Sequence, residues 1–160
     1  SIMKQTFIKL SVAILAFGSI NAFAQAAPYG APISLELAKK VVQAASAEMR
    51  VKNLTMTIAV VDSGSNLVYL ERANQAGIGT IEAAIGKTKA ANGIKAPTAA
   101  IEEQVKKGNL SLLGIPGAFP VEGGVPLVLN GQVIGAIAAS GAMPPDDGAV
   151  ANAGAKALQP

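Results

Sequence analysis

Histidine and cysteine are both absent from the chain, so its reactive groups are the ammonium, carboxylate, hydroxyl, phenol and thioether side chains of Lys, Asp, Glu, Ser, Thr, Tyr and Met. That excludes thiolate chemistry, disulfides, Ser-His-Asp triads, imidazole-built zinc sites and a histidine-ligated haem. An enzyme would need Lys, Asp, Glu or Tyr as its acid or base, and none stands beside an obvious partner, so binding is expected over catalysis. Adjacent Asp146 and Asp147 could work as a general acid and base. At a helix start, however, their expected role is capping. Asp62 opens Asp62-Ser63-Gly64-Ser65-Asn66, a run dense in turn formers, and is expected to bond nearby backbone amides. Glu82 suits the positive end of a helix dipole better than a metal. Gly123-Gly124 lacks the Lys-Ser/Thr and the helix that would make a phosphate loop, so its expected role is conformational.

The elements that must position such groups follow from composition and spacing. With 51% apolar and 14% charged residues, 17 Gly and no Trp, a single core of Ala, Val, Ile and Leu is expected, with helices packed tightly on a sheet. Lys4-Gln5-Thr6-Phe7-Ile8-Lys9, the apolar run Leu10 to Gly18 and the small residues Ala22 and Ala24 have the layout of a secretory signal peptide. Residues 1–24 are therefore expected to be a short leader plus signal peptide cleaved after Ala24, giving a periplasmic or secreted product. The run is about half the 20 apolar residues a membrane span needs, so no span is expected once the signal is removed. Without Lys4 and Lys9 the 13 basic residues fall to 11 against 10 acidic, a net of +1 with no basic stripe, and no nucleic acid is expected as a partner.

Residues 25–33 read as a flexible Pro/Gly/Ala lead, and 34–158 as one domain. Ser34 can cap a helix to Val51, with Leu35, Ala38, Val41, Val42, Ala45 and Met49 on one face. Residues 54–61 and 67–71 read as a β-hairpin, and Thr80 as the cap of a helix over 81–94. A break at Ala96-Pro97 precedes a helix over 98–107, and residues 108–121 read as loop. Strands over 127–129 and 132–139 flank Asn130-Gly131, a strong hairpin signal, and a last helix spans 146–158. Two hairpins flanked by helices predict an α+β fold with a mostly antiparallel sheet.

Three stretches carry a resemblance to a known family: Thr57 to Arg72 (TIAVVDSGSNLVYLER), Ile81 to Thr98 (IEAAIGKTKAANGIKAPT) and Gly123 to Asp147 (GGVPLVLNGQVIGAIAASGAMPPDD). In order and spacing they resemble the GlcG/HbpS family of haem-binding proteins, also found fused to some cobalamin adenosyltransferases. The third block is the most specific. The resemblance implies about five strands with helices on both sides, homo-oligomers that are commonly octamers, and haem or another tetrapyrrole as ligand, with haem sensing or scavenging as the role of exported members. A different small molecule, such as a catabolic intermediate, is the alternative ligand. The family pattern falls on Asp62, Gly64, Arg72, Lys89, Thr98, Gly123, Gly124, Pro126, Gly135, Ser140, Gly141 and Asp147. Some relatives ligate iron through a histidine that this chain lacks, which implies weakly ligated haem. Where relatives carry Gly-Val-Ser-Gly this chain has Ala138-Ala139-Ser140-Gly141. Haem held without histidine would rely on a weaker ligand such as Tyr, Met, Lys or a Thr hydroxyl, and Thr98, nearest the implied site, is the first candidate, with Lys87, Lys89 and Lys95 as candidate partners for haem carboxylates. Thr98 could instead cap the helix after Pro97, and Lys89 could serve a salt bridge or a subunit contact.

Overall fold

The computed structural model describes residues 27–160, so the expected export segment lies outside the described residues. Helix α1, Leu35–Val51, begins where the Ser34 hydroxyl accepts the Leu37 N–H at 3.2 Å, and it buries Ala38, Val41, Val42, Ala45 and Met49. Strands β1 (Thr57–Asp62) and β2 (Leu67–Arg72) form the first hairpin. At its tip Asp62 Oδ1 accepts the N–H groups of Gly64 and Asn66, each at 2.9 Å, as expected. Helix α2, Gly79–Ile94, starts earlier than expected. Thr80 lies inside it, its hydroxyl held by Gly77 O and by the Thr57 hydroxyl.

Lys95 takes a left-handed conformation and ends α2; Pro97 then opens α3, Thr98–Lys106. The expected loop beyond α3 contains a 3₁₀ turn over Leu110–Gly114. Strands β3 (Gly124–Leu129) and β4 (Gln132–Ser140) are joined at Asn130-Gly131, both at positive φ, and α4 spans Pro144–Lys156.

The sheet order is β2-β1-β4-β3, with every neighbouring pair antiparallel. Successive side chains point to opposite faces of a strand, and both faces are covered. On one face Ile58, Val60, Leu127, Ile137 and Ala139 join Val41, Val42 and Ala45 of α1 and Val150 and Ala151 of α4 in the main core. On the other, Val61 and Ala136 pack against Ala91 of α2.

The sheet has four strands where about five were expected. The place beside β4 past the end of β1 is taken by the lead, which makes one parallel bridge, Tyr29 to Val133, and no strand. Pro28 and Pro32 flank that bridge and lack the N–H that a longer ladder needs. The lead expected to be loose over 25–33 is thus tied down from Pro28: Gly30 N–H donates to Val133 O and Ile33 N–H to Ile134 O, both at 2.9 Å, and Ile33 is buried in the core. Among the described residues no helix is long and apolar enough to cross a membrane.

Candidate functional site

Because α2 stops at Lys95 and Pro97 redirects the chain, α3 leaves at an angle, and residues 112–118 return across the open side. These three segments enclose a groove of about 340 Å³. Its walls are Ala90, Gly93 and Ile94 of α2, Ala100 and Ile101 of α3, and Leu112, Ile115 and Pro116 of the returning segment. Lys89 is its one charged lining residue, and Gln104 the other polar side chain. Phe119 fastens the returning segment to α2. A Cβ on Gly86 would lie 2.7 Å from the Phe119 ring, so only glycine there lets the ring lie on the helix. A small-ligand pocket is typically apolar with a few placed polar groups, and this groove has that character.

Of the four residues singled out from the sequence, one lines the groove. Residues two apart on a helix are separated by about 200° of rotation, so Lys87 and Lys89 face opposite ways. Lys89 is exposed at the groove, and no ion pair holds it, so the expected salt bridge is not formed among the described residues. Lys87 points under the sheet, 2% exposed, where its Nζ donates to Asp147 Oδ2 at 2.6 Å and to Ala139 O at 3.3 Å. It is not free to meet a ligand's carboxylate. Lys95 lies beyond the helix end, with Nζ 4.3 Å from the centre of the Tyr29 ring, a cation–π contact away from the groove. Thr98 is fully buried. Its hydroxyl accepts the Gly124 N–H at 3.0 Å and lies 3.5 Å from Gly124 O. It neither lines the groove nor caps α3, whose cap is Pro97; it ties α3 to β3.

The polar residues behind the groove hold its walls in place. Asp147 accepts the Ala142 N–H at 2.9 Å as well as the Lys87 ammonium, joining α2 to the start of α4. Burial pushes its carboxyl above the ordinary aspartate range, against the smaller opposing pull of Lys87 and the backbone N–H groups. Gly123, at φ +136°, passes directly over this pair; a Cβ there would lie 2.7 Å from Lys87 Nζ and 2.9 Å from Asp147 Cβ. Asp146 pairs with Lys52 at 3.0 Å and Asp147 with Lys87, and neither makes the expected side-chain cap of α4, whose N-cap position is Met143. Glu102 accepts the Glu122 N–H at 2.6 Å and pairs with Lys106, whose hydrogen bond holds its carboxyl below the usual range.

Sequence reasoning missed the partnership of Lys87 and Asp147, which are 60 residues apart. It also missed the groove's outer wall. The clustering of Leu110, Leu112, Leu113, Ile115 and Pro116 in a stretch with no helical or strand period was the available signal.

The groove fits the haem macrocycle and its acidic arms but not its iron. Ile94, Ile101, Leu112 and Ile115 offer apolar contact to a flat ring, and Lys89 offers a cation to a carboxylate. No His, Cys, Met or Tyr lines it to ligate iron, and among the described residues no group of three His, Cys, Asp or Glu could hold a metal ion.

The model of the family described as "Haem degrading protein HbpS-like" matches residues 33–156. Protein GlcG of Escherichia coli strain K12 is 34% identical over 110 residues, 68% of this chain and 81% of that one. A double mutant of HbpS from Streptomyces reticuli superposes with a TM-score of 0.75 at 28% identity, over 82% of this chain and 90% of that one. The PduOC:heme complex shares the fold, with a TM-score of 0.72 at 20% identity over 80% of this chain and 96% of that one. With the family match spanning nearly all the described residues, and the antiparallel sheet clothed by helices on both faces superposing on HbpS itself, the chain belongs to the HbpS-like family.

Proposed function

We propose that the chain is an exported haem-binding protein that holds the macrocycle in the groove between α2, α3 and residues 112–118. The observation that carries this reading is the groove's composition: apolar walls with a single ammonium, in a chain whose family is described by haem. Ile94, Ile101, Leu112 and Ile115 would contact the ring and Lys89 a propionate. Haem, when bound, supplies iron-centred redox chemistry; the protein's part is to bind the ring and shield it from water. A chain without imidazole or thiol groups is suited to holding a ligand by shape and apolar contact more than to transforming it. Haem sensing or scavenging outside the cytoplasm is the role we assign it.

Titration of purified protein with hemin, followed at the Soret band, tests the reading. A saturable shift with a Kd on the order of 1 μM, about −8 kcal/mol, is expected. A spectrum that matches hemin in buffer throughout would refute it.

A second reading has an observation in its favour. A volume of about 340 Å³ sits at the small end of ligand sites, which suits a smaller apolar acid such as a catabolic intermediate. Thermal-shift comparison separates the two, because a ligand at 100 times its Kd stabilises the native state by about 2.7 kcal/mol. Export rests on the arrangement of Lys4, Lys9, Leu10 to Gly18, Ala22 and Ala24. A secreted or periplasmic product whose mass begins at Gln25 is its expected sign, and an unprocessed product retained in the cell counts against it.

A further inference from the structure

We propose that the groove recognises the tetrapyrrole ring and one of its carboxylates and is indifferent to the metal at the ring's centre. The inference rests on the haem reading above but goes against what haem recognition usually uses, an axial side chain on iron.

Among the described residues, no methionine, tyrosine or threonine side chain lines the groove to serve iron. Met49 and Met56 are buried in the main core beneath the opposite sheet face, and Met143 precedes α4. Tyr29 donates its hydroxyl to Asn92 O at 2.6 Å with Lys95 over its ring, and Tyr69 belongs to edge strand β2. The Thr98 hydroxyl is bonded to Gly124 behind the groove wall. What remains at the groove is Lys89 and the Gln104 amide. An ammonium has three donors and no lone pair, so Lys89 suits a carboxylate and cannot bind iron without first losing a proton. The walls are hydrocarbon, and their attraction to a flat apolar ring depends on buried area and not on the atom at its centre.

With one cation lining the groove, one carboxylate is paired and a second faces water. The ligand class is thus a planar apolar macrocycle with at least one acidic arm, with or without metal. A protein built this way would carry a tetrapyrrole both before metal is inserted and after it is removed.

The test is parallel titration of the full mature protein with hemin, read at the Soret band, and with metal-free protoporphyrin IX, read by its fluorescence. Each is run on wild type and on Lys89→Gln, an exposed position at which the fold is not at stake. The expected result is two wild-type dissociation constants within about threefold, and a loss of about tenfold for both ligands in Lys89→Gln, the size of one charge-assisted hydrogen bond. Hemin binding more than about thirtyfold tighter than protoporphyrin, or Lys89→Gln weakening hemin alone, would show iron ligation. Either result overturns the inference while leaving haem binding intact. Failure of both porphyrins to bind overturns the inference and the haem reading together.

Discussion

Lys87 and Lys89 leave α2 on opposite sides, and their surroundings give them different energetics. Lys89 is exposed, and its substitution should change ligand affinity and little else. Lys87 and Asp147 are almost fully buried, with side-chain exposures of 2% and 3%. Removing one member of such a pair strands a charge, which costs about 3–5 kcal/mol, whereas replacing both with apolar groups of similar size is often nearly neutral. Asp147→Ala is therefore expected to lose about 3–5 kcal/mol in urea denaturation, and Lys87→Met/Asp147→Leu to lose clearly less than either single change.

The pH dependence has a defined sign. Burial raises the Asp147 carboxyl above its unfolded value, so the folded state binds its proton more tightly than the unfolded chain does. The group's contribution to stability is then most favourable below the unfolded aspartate value of about 3.9 and declines as pH rises through the folded value. In Lys87→Met, where the opposing ammonium is gone, this decline should steepen. Denaturation midpoints of that variant should rise relative to wild type as pH is lowered from neutral toward 4. At this scale the sequence showed which residues carry charge but not which way they face. Three of the four candidates, Lys87, Lys95 and Thr98, are directed away from the groove by helix phase, by a left-handed residue and by a backbone partner 26 residues on.

Helix α2 can approach the sheet closely because the sheet presents small residues to it. A Cβ at Gly124 would collide with the Lys87 carbonyl and come within 3.1 Å of Thr98 Cγ2. Gly124→Val should therefore push α2 outward and cost about 1–3 kcal/mol, the usual size of an overpacking penalty, readable in thermal denaturation. Gly86→Ala is different. It displaces the Phe119 ring, but a mid-helix Gly→Ala change returns about 0.5–1 kcal/mol, so net stability should change by less than about 1 kcal/mol. The expected effect is local: faster amide exchange over residues 110–118, where the 3₁₀ turn buries none of its residues, with α2 unaffected.

The elements themselves were largely legible. The Ser34 cap, the Asp62 turn, Asn130-Gly131 and Pro97 each act within a few residues, and each set a boundary close to the observed one. β3 began earlier than expected because an edge strand tolerates Pro126. The sheet order was not legible, since the central pairing joins Thr57 to Ser140 and no local signal encodes it.

As a whole the molecule leaves large apolar side chains in water: Ile78 is 82% exposed, and Leu110 and Leu113 beside the groove are also exposed. We propose that copies of the chain cover such residues in a homo-oligomer, with the octamer implied by family resemblance as the expected size. Light scattering on the mature protein should return a multiple of the chain mass, and a monomer at every concentration would refute it. The central claim, that the groove between α2 and α3 is the ligand site, has a more direct test in Gly93. This residue lines the groove, and a Cβ there meets nothing within 4 Å, so Gly93→Trp can occupy the space without disturbing the helix. Hemin titrations of wild type and Gly93→Trp should give a loss of about tenfold or more in the variant, equivalent to about 1.4 kcal/mol, with its circular dichroism and melting temperature unchanged. Equal hemin affinity in the two folded proteins would contradict the account.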